Sequence, residues 1–344
     1  MTSMAMVRVC DECGAELADG LLACPGCARL IHAAELRRLA SEAEASEAKG
    51  DRTAALASWR RATELLPAGA TQGARIAERM RTLSAAIDGR GPESPARPKP
   101  SGKGGKVGAA VAATGVALAK AKAILVLLLG NAKLLLLGLV KIPTLLSMLI
   151  YAHWMSGRGA GFGIGLVACI YVHEVGHVAA LRRYGIEASA PMFVPGFGAF
   201  VRMKQYPTDA HEEARTGLAG PLWGLVAACA AAAYGLLAGS AVALSVASVA
   251  TRINVFNLIP VWQLDGARGM KALSRQERGG IAAIAAVTAI VAHQWMPALV
   301  GAFAVFTLFH ADPETKGDRR VFALFAVLIV ALAGVALLPA SVAW

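Results

Sequence analysis

The chain has 344 residues, of which 56% are hydrophobic and 17% charged, with a mean hydropathy of +0.53. Soluble domains average about 45–50% apolar and about 25% charged residues, so two ordinary water-soluble domains are excluded, as are a disordered chain and a disulfide-stapled scaffold. Of the formal charge of +11, residues 1–106 contribute 16 Lys and Arg against 13 Asp and Glu, and residues 107–344, with the long apolar runs, 18 against 10; a basic surplus beside apolar spans is a positive-inside bias, and nucleic-acid binding is not expected.

Residues 1–20 contain Asp11, Glu12, Glu16 and Asp19 and no apolar core, so no secretory signal is expected and the N-terminal head should be cytosolic. Residues 1–30 read as a zinc-ribbon-like module. Cys10, Cys13, Cys24 and Cys27 form two C-x-x-C pairs ten residues apart. Each pair makes a tight turn that aims two sulfurs inward, which suits one structural tetrahedral zinc; two disulfides or redox pairs are the alternative. Residues 31–88 are rich in Ala, Glu and Arg with helical periodicity. Within them Ala43, Gly50, Ala55, Trp59, Ala62 and Pro67 sit at the spacing of a tetratricopeptide repeat, which predicts a helical hairpin. A single repeat leaves one face bare, to be covered by residues 70–88, the zinc module or a protein partner. Residues 89–106 are a Pro/Gly/Lys linker.

The lysines at 120, 122 and 133 leave two readings for residues 107–133, an amphipathic segment along the headgroups or a crossing helix. Residues 134–310 form the membrane core and residues 311–344 a C-terminal transmembrane helix. Spans are expected near 134–156, 161–181, 214–238, 240–262, 280–309 and 321–340, the fifth as one long helix or as a hairpin broken at Pro297. The predicted fold is therefore an all-α polytopic membrane protein with about six spans, behind the small zinc module and helical hairpin. Basic clusters at Arg182–Arg183, Arg268/Lys271/Arg275/Arg278 and Lys316/Arg319/Arg320 mark cytosolic loops.

Acidic residues single out the chemistry. Of the ten after Lys106, eight fall in predicted loops, His211 being read as solvated beside Glu212 and Glu213 in one of them. Glu174 and Asp265 alone fall in or at the edge of apolar spans, where an unpaired carboxylate costs several kcal/mol. Glu174 lies within His173-Glu174-Val175-Gly176-His177. Histidines four apart project from one helical face and can share a metal, with the glutamate beside them to take a proton from its water. A catalytic zinc needs a third ligand and an open position. Asp265 supplies the carboxylate from Asn257-Leu-Ile-Pro260-Val-Trp-Gln-Leu-Asp265-Gly266, where Pro260 interrupts a helix and Gly266 permits a tight bend.

HEVGH followed about ninety residues later by NLIPVWQLDG resembles the site-2 protease family of intramembrane zinc metalloproteases. The resemblance covers about residues 134–310 and implies cleavage of transmembrane substrates within the bilayer. It further implies that His173, His177 and Asp265 are zinc ligands, Glu174 the catalytic base, and Asn257 a substrate or oxyanion contact. Residues 191–204 resemble the hairpin that lies near the active site in such enzymes. The stretch Gly217–Gly224 resembles the family's Gly-Pro segment, though many members carry an Asn near Gly224. Two rival readings remain: a non-catalytic membrane zinc scaffold, sensor or transport protein, and an adaptor whose working part is the head.

Overall fold

The computed structural model describes residues 8–90, 142–154, 159–194, 198–311 and 315–338. Residues 91–106 of the expected linker, the 107–133 segment and residues 134–141 of the first expected span lie outside the described residues. The chain divides into two compact units. One comprises Met1–Ser94 with Arg182–Glu187 and Gln205–Thr208; the other is the remainder.

In the first unit, β1 (Arg8–Val9) pairs antiparallel with β2 (Glu16–Leu17). Helices α1 (Ala33–Ala48), α2 (Arg52–Glu64) and α3 (Thr71–Ile87) follow. The turn between α1 and α2 uses Gly50 at φ +77°, and Asp51 caps α2 by accepting from the Ala54 N–H at 3.0 Å. Ala43, Ala55, Trp59 and Ala62, the small-and-large pattern read from the sequence, are all buried, with Leu39, Leu56, Met80 and Leu83. The third helix covers the bare face of the pair. A further piece of that covering had no sequence signal. Buried Arg60 donates to the carbonyls of Tyr184 (3.0 Å) and Tyr206 (3.1 Å), and the Tyr184 hydroxyl donates to Asp88 at 2.6 Å.

The second unit contains α4 (Ile142–Trp154), α5 (Ala160–Arg183), the hairpin β3 (Met192–Val194) and β4 (Gly198–Phe200), and α6 (Ala210–Ala238). Beyond these come α7 (Ala241–Asn257), α8 (Asp265–Met270), α9 (Arg275–Ala292), α10 (Trp295–Leu308) and α11 (Arg319–Ala336). Among the described residues α5, α6 and α11 are long and apolar enough to cross a bilayer; α7 and α10 are shorter apolar helices. At 1.5 Å per residue the 24 residues of α5 extend about 36 Å. This helix is the most buried of the three. Its nearly even hydrophobicity fits a helix surrounded by others. The hairpin registers Phe193 opposite Ala199, and buried Phe193 shares a core cluster with Val175 of α5 and Trp223 of α6.

Three local expectations are corrected. The 280–309 run is a hairpin, but it breaks at His293, which takes a left-handed conformation (φ +52°) and closes α9. Pro297 instead lies in the first turn of α10, where a missing N–H leaves no bond unmade. The expected 240–262 span ends as a helix at Asn257, ahead of Pro260. The 209–213 region is a helix start rather than a loop. Asp209 caps α6 by accepting from the Glu212 N–H at 2.7 Å, Glu212 is buried, and His211 lies 3.0 Å from the Asp318 carboxylate.

Candidate metal and catalytic site

The spacing of α5 sets the first two groups. His173 and His177 lie one turn apart on a buried stretch of the helix, with Glu174, also buried, beside them. The two Nε2 atoms are 3.2 Å apart. Asp265 completes the cluster: its Oδ2 lies 3.1 Å from His173 Nε2 and its Oδ1 3.2 Å from His177 Nε2. The three candidate ligand residues are thus brought together although 88 positions separate His177 from Asp265.

Both imidazoles are held from behind. His177 Nδ1 lies 2.8 Å from the Thr216 carbonyl, which can only accept, so Nδ1 carries the proton. His173 Nδ1 lies 2.8 Å from Asn254 Oδ1. The Asn254 amide is oriented because its Nδ2 donates to the Ala250 carbonyl at 2.8 Å. In these tautomers the Nε2 lone pairs of two neutral imidazoles and a carboxylate all face one point. With no further proton on either Nε2, such an arrangement is repulsive, and a proton or a metal cation relieves it. A tetrahedral ion with bonds of about 2.0–2.1 Å to nitrogen would place two nitrogens about 3.3 Å apart, close to the separation observed. The residues present therefore fit a divalent metal.

Helix α6 makes the room. Gly217, Gly220 and Gly224 share one face at spacings of three and four. A Cβ on Gly220 would come within 2.7 Å of His173 Nε2, and one on Gly224 within 2.6 Å of the Asn254 side chain. The Asn that the resemblance suggests near Gly224 has no space there, because Asn254 of α7 occupies it.

Asp265 reaches the site from a folded-back loop, residues 258–264. The bend expected at Gly266 is elsewhere: the positive φ belongs to Trp262, at +47°. Gly266 is needed instead for close approach, since a Cβ on it would overlap the Leu258 carbonyl group. Asn257 Nδ2 lies 3.4 Å from His173 Nε2, at the edge of the cluster. No sequence motif marks Thr216 and Asn254, the partners that orient the imidazoles. A lone Asn within the apolar run 241–256 was the available signal for one of them.

In the first unit the four N-terminal cysteines also converge. Their thiols are free, with Cys10 Sγ 3.7 Å from Cys27 Sγ and Cys13 Sγ 3.5 Å from Cys24 Sγ. A tetrahedral ion with metal–sulfur bonds of about 2.3 Å spaces its sulfurs by about 3.8 Å. Each pair turns alike: Gly14 N–H bonds the Cys10 carbonyl at 2.8 Å and Ala28 N–H the Cys24 carbonyl at 2.9 Å, both residues with positive φ. Backbone N–H groups of Cys27 and Gly26 hold the Cys24 thiol down to about 6, whereas Cys27, although the Arg29 backbone N–H lowers it, is pushed up to about 12 by burial and the neighbouring thiols.

The family described as Peptidase family M50, the site-2 protease family, matches residues 161–244. The matched stretch contains His173, Glu174 and His177, the β3–β4 hairpin and the glycine face of α6; Asp265, Asn254 and Asn257 lie beyond it. No curated protein and no solved structure gave a match.

Proposed function

We propose that this chain is an intramembrane zinc metalloprotease that cleaves transmembrane protein substrates. The observation that carries the reading is the convergence of His173, His177 and Asp265 with both imidazole Nδ1–H groups already bound from behind. The match to Peptidase family M50 over the helix that bears HEVGH supports it. His173, His177 and Asp265 would hold the catalytic zinc, which would supply a Lewis acid able to lower the pKa of water at the site to about 7. Glu174 accepts the proton of the attacking water and returns it to the leaving amine. Asn257 offers its Nδ2–H to the developing oxyanion. Cys10, Cys13, Cys24 and Cys27 hold a second, structural zinc, and the head lies in the cytosol.

Glu174→Gln tests the role of the base. The variant should retain zinc and lose cleavage of a membrane-embedded reporter in reconstituted vesicles. Undiminished cleavage would remove Glu174 from the reaction. A cellular phenotype unchanged in Glu174→Gln but lost in His173→Ala would favour a metal scaffold over an enzyme.

A further inference from the structure

Away from the histidine cluster, the second unit carries a cavity of about 1460 Å³ between the 258–264 loop and the α9–α10 hairpin. It exceeds the roughly 300–1,000 Å³ typical of small-molecule sites. Its walls are apolar, with Phe256, Pro260 and Leu264 from the loop side and Leu299, Phe303 and Phe306 from α10. Its polar lining groups include Gln263 of the loop, Lys271, Arg278, Thr307 and His310. Arg278 is in the first turn of α9 and bonds the Thr307 carbonyl in the last turn of α10 at 2.9 Å; His310 follows just after, and Lys271 closes α8.

Arg278 is the unusual member. It is 8% exposed, and its Nε and Nη1 donate to the Leu273 and Thr307 carbonyls at 3.1 and 2.9 Å. No carboxylate pairs with it among the described residues. A guanidinium has five N–H donors, and two bonds to neutral carbonyls leave donors and a full positive charge to satisfy. Lys271, by contrast, is balanced by Glu213 at 2.7 Å. Trp262 supplies a second observation. It lines the same cavity, is 95% exposed, and keeps a left-handed backbone that a non-glycine residue adopts only under constraint. Exposed Trp at this position has the character of an interfacial anchor.

We propose that this groove binds an anionic phospholipid, its phosphate on the free donors of Arg278 and its acyl chains along Leu299, Phe303 and Phe306. A net negative headgroup is selected because the groove is lined by an unbalanced guanidinium; a zwitterionic headgroup brings its own ammonium against Arg278. The groove adjoins the loop that leads to Asp265, so a bound lipid would brace that loop.

The test is native mass spectrometry of the full-length protein released from vesicles of phosphatidylglycerol and phosphatidylcholine mixed in equal parts. One retained phosphatidylglycerol per chain is expected, with a preference of about tenfold over phosphatidylcholine, and Arg278→Gln should abolish that preference, as loss of one charge-assisted hydrogen bond implies. Leu299→Trp, which fills the apolar wall and leaves Arg278 in place, should lower retention of both lipids and decides the matter if Arg278→Gln does not fold. Equal retention of the two lipids would overturn the proposal, as would full preference in folded Arg278→Gln. Displacement by millimolar inorganic phosphate would make the site one for free anions, and a disulfide-linked dimer of Phe303→Cys would make the groove an interface between copies. None of these readouts depends on proteolysis or bound metal.

Discussion

Replacing Asn254 with Ala isolates the element of the proposed metal site that the histidine motif does not encode. Asn254 Oδ1 accepts from His173 Nδ1 at 2.8 Å, and both groups are buried. Truncation leaves a buried N–H without a partner, a loss of about 1–3 kcal/mol. Part of that loss falls on the metal-bound state, because the ring is then free to turn and its Nε2 is less basic. A tenfold change corresponds to about 1.4 kcal/mol, so zinc affinity should fall by about 10- to 100-fold. Competition with a chelator of known affinity, on detergent-purified protein, measures this directly. Asn254→Asp keeps an acceptor for His173 Nδ1 but sets an oxygen against the Ala250 carbonyl, so it should retain more affinity than Asn254→Ala. Thr251→Val, one turn earlier on α7 with its hydroxyl bound to the Ala247 carbonyl, should leave affinity unchanged. If Asn254→Ala binds zinc as tightly as the unaltered chain, the orienting role of this amide is wrong.

Gly220→Ala puts a methyl group within 2.7 Å of His173 Nε2 and should cost the protein its membrane-site metal, read as zinc per chain by elemental analysis; a full complement would show that α6 can retreat. Cys10→Ser should lower the same count by one while leaving the histidine site loaded. Gly185 has φ +67°, and a Cβ there would meet the Ala57 nitrogen at 2.6 Å, so Gly185→Ala should destabilise the N-terminal unit by about 1–3 kcal/mol, seen as faster limited proteolysis of residues 8–90. Burial opposes ionisation of Asp318, but His211, Arg215 and the Val321 N–H outweigh it and hold the carboxyl well below the usual carboxylate range. Its stabilisation is therefore complete above about pH 4 and is lost as the pH falls below that value. Thermal melts should show Asp318→Asn less stable near neutrality, with the difference shrinking toward about pH 3; a pH-independent difference would assign the loss to capping alone.

The parts of the site that sequence made legible are those where chemistry is rare for its surroundings. Two histidines at a spacing of four and a carboxylate within apolar sequence stand out because lipid penalises them. The orienting groups do not stand out in the same way. Thr216 contributes its backbone carbonyl, which every residue possesses, and Asn254 was overshadowed by Asn257 in the better-known motif. The glycines at 217, 220 and 224 carried a helical spacing that marks one face, yet only the packing shows that the face receives imidazoles. In the N-terminal unit, burial of Ala43, Trp59 and Ala62 followed from local periodicity. The bonds from Arg60 to Tyr184 and Tyr206 join positions more than 120 residues apart, and no periodicity within either segment encodes them.

The groups that hold the two imidazoles are themselves held by further hydrogen bonds. Arg268 donates to the Thr216 hydroxyl at 2.8 Å, that hydroxyl donates to the Glu212 carbonyl at 2.8 Å, and the Thr216 carbonyl accepts from His177. Asn254 is satisfied on one side by Ala250 and on the other by His173. A buried network built only for stability would turn its remaining acceptors toward donors. Here the two Nε2 atoms and the Asp265 oxygens turn toward one another. Hydrogen-bonding rules leave that point deficient by a positive charge, and the surrounding bonds fix the geometry in which a cation would be received.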